Sequence, residues 1–250
     1  MISFVTCIKL MGAYVNFDVY LCRYLDSLLA CRVPYEVVVV EEHDSRTLRR
    51  IQFTPEYLAS RRVRLIRYEA DYPNPHGFNM IEAYAKNVGL RAAKHAFVCI
   101  TNCDIFFKAD FFQWLPSIRP NLFYRFIMYD GITCLNPDLL KVKTLVTASM
   151  KSGDIMLMDK ATWLKIGGFP ETPIWYHSDF IVCIVAHNNK IPLVVPPVRV
   201  YTTAHDRDSV DLEATLDDIT CPYLSLMTTN PTGRDSTTTA AASSAESGLF

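Results

Sequence analysis

Four acids and an amide stand where apolar runs come to an end. In FVCITNCDIFF, residues 97–107, an apolar, β-prone run breaks into Thr101, Asn102, Cys103 and Asp104 and then turns apolar again. In YEVVVVEEHDS, residues 35–45, a β-branched run closes on Glu41, Glu42, His43 and Asp44. A lone acid in such a place is most often a helix cap or a solvated turn residue. Asp104 differs in its neighbours. It lies between Ile100 and the pair Phe106 and Phe107, so it is not freely solvated. A partly buried carboxylate needs either a cation or several hydrogen-bond donors. A hard cation such as Mg²⁺ or Mn²⁺, shared with a phosphate ligand, satisfies that need.

These residues can act together only if the chain brings them to one edge. ISFVTCIK reads as a strand, FDVYLCRYLDSLLACR as an amphipathic helix and YEVVVVEE as a buried strand, which makes a βαβ unit. RVRLIRYEA then predicts a third strand, NMIEAYAKNVGLRAAK a helix, and AFVCITNCDIFF a fourth strand. This order predicts an α/β fold with a mainly parallel mixed central sheet covered on both faces. In such sheets ligands bind beyond the carboxyl ends of the strands, where both acid clusters fall.

Past residue 110 the aromatic, Pro-broken stretch predicts mixed strands, followed by a short helix at about 159 to 166 that a Gly-Gly turn stops. SDFIVCIVAHNNK predicts a helix, and IPLVVPPVRVYTT predicts one edge-like, Pro-interrupted strand that closes the sheet. The domain is expected over residues 1–221. The Thr-, Ser- and Ala-rich residues 222–250 are expected to be disordered.

Composition removes several function classes. With 250 residues and 50% hydrophobic content the chain can bury a full core. A net charge of -1, from 25 basic and 26 acidic residues, gives no field to gather nucleic acid, and the basic stretch SRRVRLIR reads as a solvated strand face. No run of about 18 uncharged apolar residues predicts a transmembrane helix. Eight cysteines without a CxxC pair, and no N-glycosylation sequon, point to buried thiols and a soluble protein of the cytoplasm.

Three segments resemble family 2 glycosyltransferases of the GT-A fold. YLDSLLACRVPYEVVVVEEHDS is similar to their opening helix and acid-ended strand, and AYAKNVGLRAAKHAFVCITNCDIFF to the block carrying their Asp-x-Asp motif. SGDIMLMDKATWLKIGGFPETPIWYHSDF resembles an acceptor-side segment shared with the β-1,4-galactosyltransferases. The resemblance runs over roughly residues 2 to 205, in the family's order.

It implies a GT-A, Rossmann-like nucleotide-diphospho-sugar transferase fold. The implied donor is a UDP- or GDP-sugar, and the implied acceptor is a hydroxyl of a glycan or glycoconjugate. Glu42, with Glu41, would contact the nucleoside, and Lys86 and Asn87 would lie where the helix approaches the donor. Asp104 would bind Mn²⁺ or Mg²⁺ on the diphosphate, with Asn102 in place of the first Asp of the motif and His205 as a further metal ligand. An amide can coordinate through oxygen but brings no charge. Asp179 would be the general base of an inverting single displacement, and the alternative is that Asp179 and Ser178 cap a helix. Glu171, Trp175, Tyr176 and His177 would face sugar or acceptor, Trp175 alternatively packing in the core.

Two other readings use the same residues. Asn102 is compatible with a nucleotide-sugar-binding domain that has lost turnover. A sugar-nucleotide pyrophosphorylase would need a Gly-rich phosphate loop after the first strand, where KLMGAYVNFD offers only Gly12.

Overall fold

The computed structural model describes residues 1–9, 17–44, 47, 50–72, 80, 82–130, 133–134, 155–171 and 178–202, all within one compact unit that ends at Ala204. Strand β1 (Ile2–Ile8) is buried along its whole length, and β2 (Tyr35–His43) is nearly so. Both are continuous apolar runs because both faces of the sheet are covered. Phe4, Val37 and Val39 point into one core, Val5, Val38 and Val40 into the other, as the two-residue period of a strand requires.

The large sheet has the order β10-β6-β9-β4-β1-β2-β3, where β3 is Val63–Glu69, β4 Phe97–Thr101, β6 Phe123–Arg125, β9 Ile155–Asp159 and β10 Leu193–Val194. Strand β1 pairs in parallel with both β2 and β4, so their carboxyl ends share one edge. Only β9 runs against its neighbours. Helix α1 (Phe17–Ser27) lies on one face with an aromatic cluster of Phe4, Phe107 and Phe111. Helix α3 (Glu82–Ala92) lies on the other, together with Trp163 and Phe169. Between β2 and β3 runs the short α2 (Pro55–Ser60), whose first turn is capped by Thr54. A Cβ on Gly89 of α3 would collide with Val5 Cγ1, so only glycine lets this helix sit so close to the sheet.

Three expectations are corrected. The fourth strand does not continue through Phe107: β4 stops at Thr101, and β5 (Ile105–Phe106) belongs to a second sheet of order β5-β11-β7-β8, with β7 Ile127–Asp130, β8 Thr133–Cys134 and β11 Arg199–Thr202. The turn through Asn102, Cys103 and Asp104 is the hinge between the sheets. The last strand is likewise two, β10 in the large sheet and β11 in the small one, because Pro196 and Pro197 cannot donate to a ladder. The stretch past residue 110 opens not with a strand but inside helix α4 (Ala109–Trp114), whose Phe111 and Phe112 fill the aromatic cluster.

The other elements fall where the pattern places them. Helix α5 is Lys160–Lys165, capped by Asp159 and ended by Gly167 and Gly168, both at positive φ. Helix α6 is Ser178–Asn188. Among the described residues no helix is long and apolar enough to cross a membrane, and the described cysteines are all free.

Candidate functional site

The carboxyl edge of β1, β2 and β4 carries a concentration of buried charge. Lys9, one residue past β1, donates to Glu42 Oε1 at 2.9 Å and to Asp44 Oδ2 at 2.6 Å. Tyr72 Oη donates to the same Glu42 oxygen at 2.6 Å. Glu42 is fully buried and its second oxygen has no hydrogen-bond partner among the described residues. Burial pushes its carboxyl above the ordinary carboxylate range, while the bonds from Tyr72 and Lys9 pull it back. Glu41, equally buried, is occupied otherwise: its carboxylate accepts from Ile51 N and stands 3.2 Å from His43 Nε2 and 3.3 Å from Arg67 Nε.

Asp104 lies in the turn after β4, nearly buried, and its Oδ2 accepts from Thr202 Oγ1 of β11 at 2.9 Å. Asn102 accepts Ile105 N through its backbone oxygen at 3.4 Å and so shapes the same turn. Lys86, buried on α3, pairs with Glu82, and its Nζ stands 5.4 Å from the centre of the Phe169 ring. Cys7 and Cys103 lie close enough to feel these charges. Burial, with Glu82, Glu42 or Asp104 adding to it, raises both thiols far above their ordinary value, so they stay protonated.

Asn87, by contrast, is committed to the protein. Its Nδ2 donates to Phe169 O at 2.8 Å and to Glu171 Oε1 at 3.0 Å, and its Oδ1 accepts from Phe169 N at 2.9 Å. Glu171 also takes Arg91 Nη1 at 3.3 Å, and its carbonyl accepts from Tyr84 Oη at 3.1 Å. Phe169 and Glu171, just after the Gly-Gly turn, are thereby docked onto α3. Beyond it Asp179 stands in the first turn of α6, with its Oδ2 3.8 Å from Arg125 Nη2. Trp175, Tyr176, His177 and His205 lie outside the described residues, as do residues 222–250.

Two solved structures share this architecture. One is S. aureus TarS 1-349 in complex with UDP-GlcNAc, 17% identical over 83% of this chain and 59% of that one, with a TM-score of 0.58. The other is the mannosyltransferase PcManGT from Pyrobaculum calidifontis in complex with GDP-Man and Mn²⁺, 18% identical over 82% of this chain and 57% of that one, with a TM-score of 0.56. The chain has the GT-A fold. It spans under two thirds of the length of these structures. No family model and no curated protein matches it in sequence.

In the GT-A frame the two acid clusters read from sequence do share an edge, since β1 lies between β2 and β4. Four further residues of that edge and its surroundings were not expected: Lys9, Tyr72, Thr202 and Arg125. Lys9 had a signal, a charge directly after a buried strand, the same one that marked Glu41 and Asp104. Arg125 had a stronger one, a lone cation inside LFYRFIM, which a core tolerates only beside an anion. Tyr72 and Thr202 are ordinary in sequence, and only the register places them. Three arginines of SRRVRLIR stand beside acids, Arg61 by Asp26 at 2.7 Å, Arg64 by Glu36 at 3.2 Å and Arg67 by Glu41 at 3.3 Å, while Arg62 lies over the Tyr35 ring. A surface cleft of about 700 Å³ opens at the opposite, amino-terminal edge beside Lys94, His95 and Asp159, away from the acid clusters.

Proposed function

We propose that this chain is a glycosyltransferase that moves a sugar from a nucleoside-diphosphate-sugar to an acceptor hydroxyl. The observation that carries the reading is the placement of Asp104 and Glu42, two buried carboxylates, at the carboxyl ends of a GT-A sheet's central strands. Support comes from the ligands of the fold's solved relatives, UDP-GlcNAc in one and GDP-Man with Mn²⁺ in the other.

Glu42 is the acid we assign to the nucleoside: the Oε2 atoms of Glu41 and Glu42 both lack a hydrogen-bond partner among the described residues, but that of Glu41 already faces the side chains of His43 and Arg67. Lys9 and Tyr72 hold Glu42 in place. Lys86 contributes positive charge beside the diphosphate.

Among the described residues no group of three or more His, Cys, Asp or Glu could hold a metal by itself. Asp104 and Asn102 would hold a hard cation shared with the phosphate oxygens of the donor. Such a cation, when bound, would offset the charge that develops on the departing diphosphate. Asp179 takes the proton of the acceptor hydroxyl as that oxygen attacks the anomeric carbon, with inversion. Glu171 and the segment after it form the acceptor side.

The test is calorimetry of UDP, GDP and other nucleoside diphosphates, with and without Mn²⁺, on the wild type and on Asp104→Ala. Metal-dependent binding that the variant loses is expected, followed by release of nucleoside diphosphate from the matching sugar donor. Binding indifferent to both metal and mutation would overturn the assignment of Asp104. Binding with no turnover of any donor would leave a nucleotide-sugar-binding domain, for which Asn102 is the structural reason.

A further inference from the structure

Arg125 is among the largest fully buried side chains of the molecule, at the end of β6 between Tyr124 and Phe126, both buried as well. A guanidinium keeps its proton at any pH a protein meets, so burial cannot neutralise it. It must have an anion. One carboxylate that faces it is Asp179, at 3.8 Å from Nη2, and its Nη1 donates to Cys183 Sγ at 2.7 Å. Asp179 and Cys183 are four residues apart on α6 and so share one face of that helix. Burial pushes the Cys183 thiol up to about 11, so it is neutral beside the guanidinium.

This geometry fixes more than a charge pair. Through Oδ2 the carboxylate of Asp179 is turned towards Arg125, and it makes no hydrogen bond among the described residues that would commit Oδ1. We propose that Arg125 is the positioning residue for Asp179, holding the carboxylate turned by Oδ2 so that Oδ1 is presented to the acceptor proton. The inference rests on the reading of Asp179 as the general base. It adds a cost to the reaction: once Oδ1 is protonated, the guanidinium faces a neutral acid, so the proton must leave Asp179 before the next cycle.

The experiment measures nucleoside diphosphate released from UDP-N-acetylglucosamine and GDP-mannose by wild type, Arg125→Met, Arg125→Lys, Asp179→Asn and the double variant Arg125→Met/Asp179→Asn. Arg125→Met is expected to lower kcat by about 10²-fold with donor KM within about twofold, the size of effect a displaced reacting group produces. Arg125→Lys, which keeps the charge without the planar fork, should recover about tenfold of that loss. The double variant should be no slower than Asp179→Asn alone, because Arg125 acts only through the carboxylate.

If Arg125→Met does not fold, the Lys and double variants carry the test, since the double variant removes both charges together and strands neither. Wild-type turnover lost in Asp179→Asn but unchanged in Arg125→Met and Arg125→Lys overturns the role of Arg125 alone. Wild-type turnover indifferent to Asp179→Asn overturns the base assignment and this inference with it. Weakened UDP or GDP binding in Arg125→Met, with kcat unchanged, would assign the guanidinium to the donor phosphates instead.

Discussion

Asn87 holds Phe169 by both its backbone polar groups, donating to its carbonyl at 2.8 Å and accepting from its N–H at 2.9 Å. One side chain of α3 thus supplies the partners that a strand neighbour would otherwise give. The turn it holds is the one that ends α5, where Gly168 adopts φ +73 and brings its Cα against the amide: a Cβ there would lie 2.5 Å from Asn87 Oδ1. Sequence, turn and helix are therefore interlocked, and Phe169 and Glu171 are anchored through Asn87.

Replacing Asn87 by Leu removes both bonds and leaves the Phe169 N–H buried without an acceptor, which is expected to cost roughly 2–4 kcal/mol. The two glycines give an internal control. Gly167 lies at φ +83, and a methyl group there would meet nothing within 4 Å, so Gly167→Ala meets backbone strain alone, about 1–2 kcal/mol. Gly168→Ala meets the same strain and a clash with Asn87, and should be the less stable of the two. Urea denaturation midpoints decide this; equal losses for the two glycines would show that Asn87 gives way freely.

The sheet order near the edge was legible because β1, β2 and the helix between them are unbroken patterns. Val37 to Val40 could only be a doubly buried strand, and their acids had to emerge at its carboxyl end. The split at Asn102 was not legible, since Ile105 and Phe106 are as β-prone as Ile100, and only their pairing with Thr202 and Tyr201 shows that they belong to another sheet. Asn87 looked like a ligand residue in sequence for a related reason. Its partner Phe169 lies 82 residues ahead, and nothing local in KNVG distinguishes an amide that holds a turn from one that faces a ligand.

Asp104 is tied to β11 through Thr202, which predicts a separation of roles between two substitutions. Asp104→Asn keeps an oxygen for Thr202 but loses the negative charge, so the fold should survive while the Mn²⁺-dependent part of UDP or GDP binding falls by at least about tenfold. Thr202→Val removes one hydrogen bond from a buried carboxylate and should cost about 1–3 kcal/mol of stability. Calorimetry and thermal melts on both variants check the separation. A Thr202→Val variant that loses metal dependence with unchanged stability would place Thr202 in the ligand site.

Lys9 and Glu42 form a fully buried pair, so removing one partner should hurt more than removing the charge of both. Lys9→Met is expected to destabilise by about 3–5 kcal/mol, and adding Glu42→Gln should recover part of that loss. The sign of the pH dependence follows from the raised carboxyl of Glu42. A carboxyl that holds its proton more tightly in the folded state stabilises fully below its unfolded value, and that contribution is lost as pH rises through the folded one. Without Lys9 the folded value rises further, so the penalty of Lys9→Met should be smallest in acid and grow towards neutrality. A penalty that is flat from about pH 4 to pH 8 would mean that Glu42 finds another cation.

Asp159 should show the opposite sign. Burial alone would raise its carboxyl, but donation from Thr162 Oγ1, Asn121 N and Thr162 N outweighs burial and holds it below the ordinary value. The same carboxylate caps α5 and pins Asn121, which sits at φ +60. Its contribution is present above the unfolded carboxylate value, about 4, and is lost as pH falls through the folded one. Asp159→Ala is therefore expected to cost about 1–2 kcal/mol at pH 7, the cost of a lost helix cap. The gap between wild type and variant should close as the pH drops below about 4, because the protonated wild-type side chain accepts these bonds poorly. Chemical denaturation of both proteins across about pH 3 to 8 measures that gap, and a gap that widens in acid would reverse the assignment.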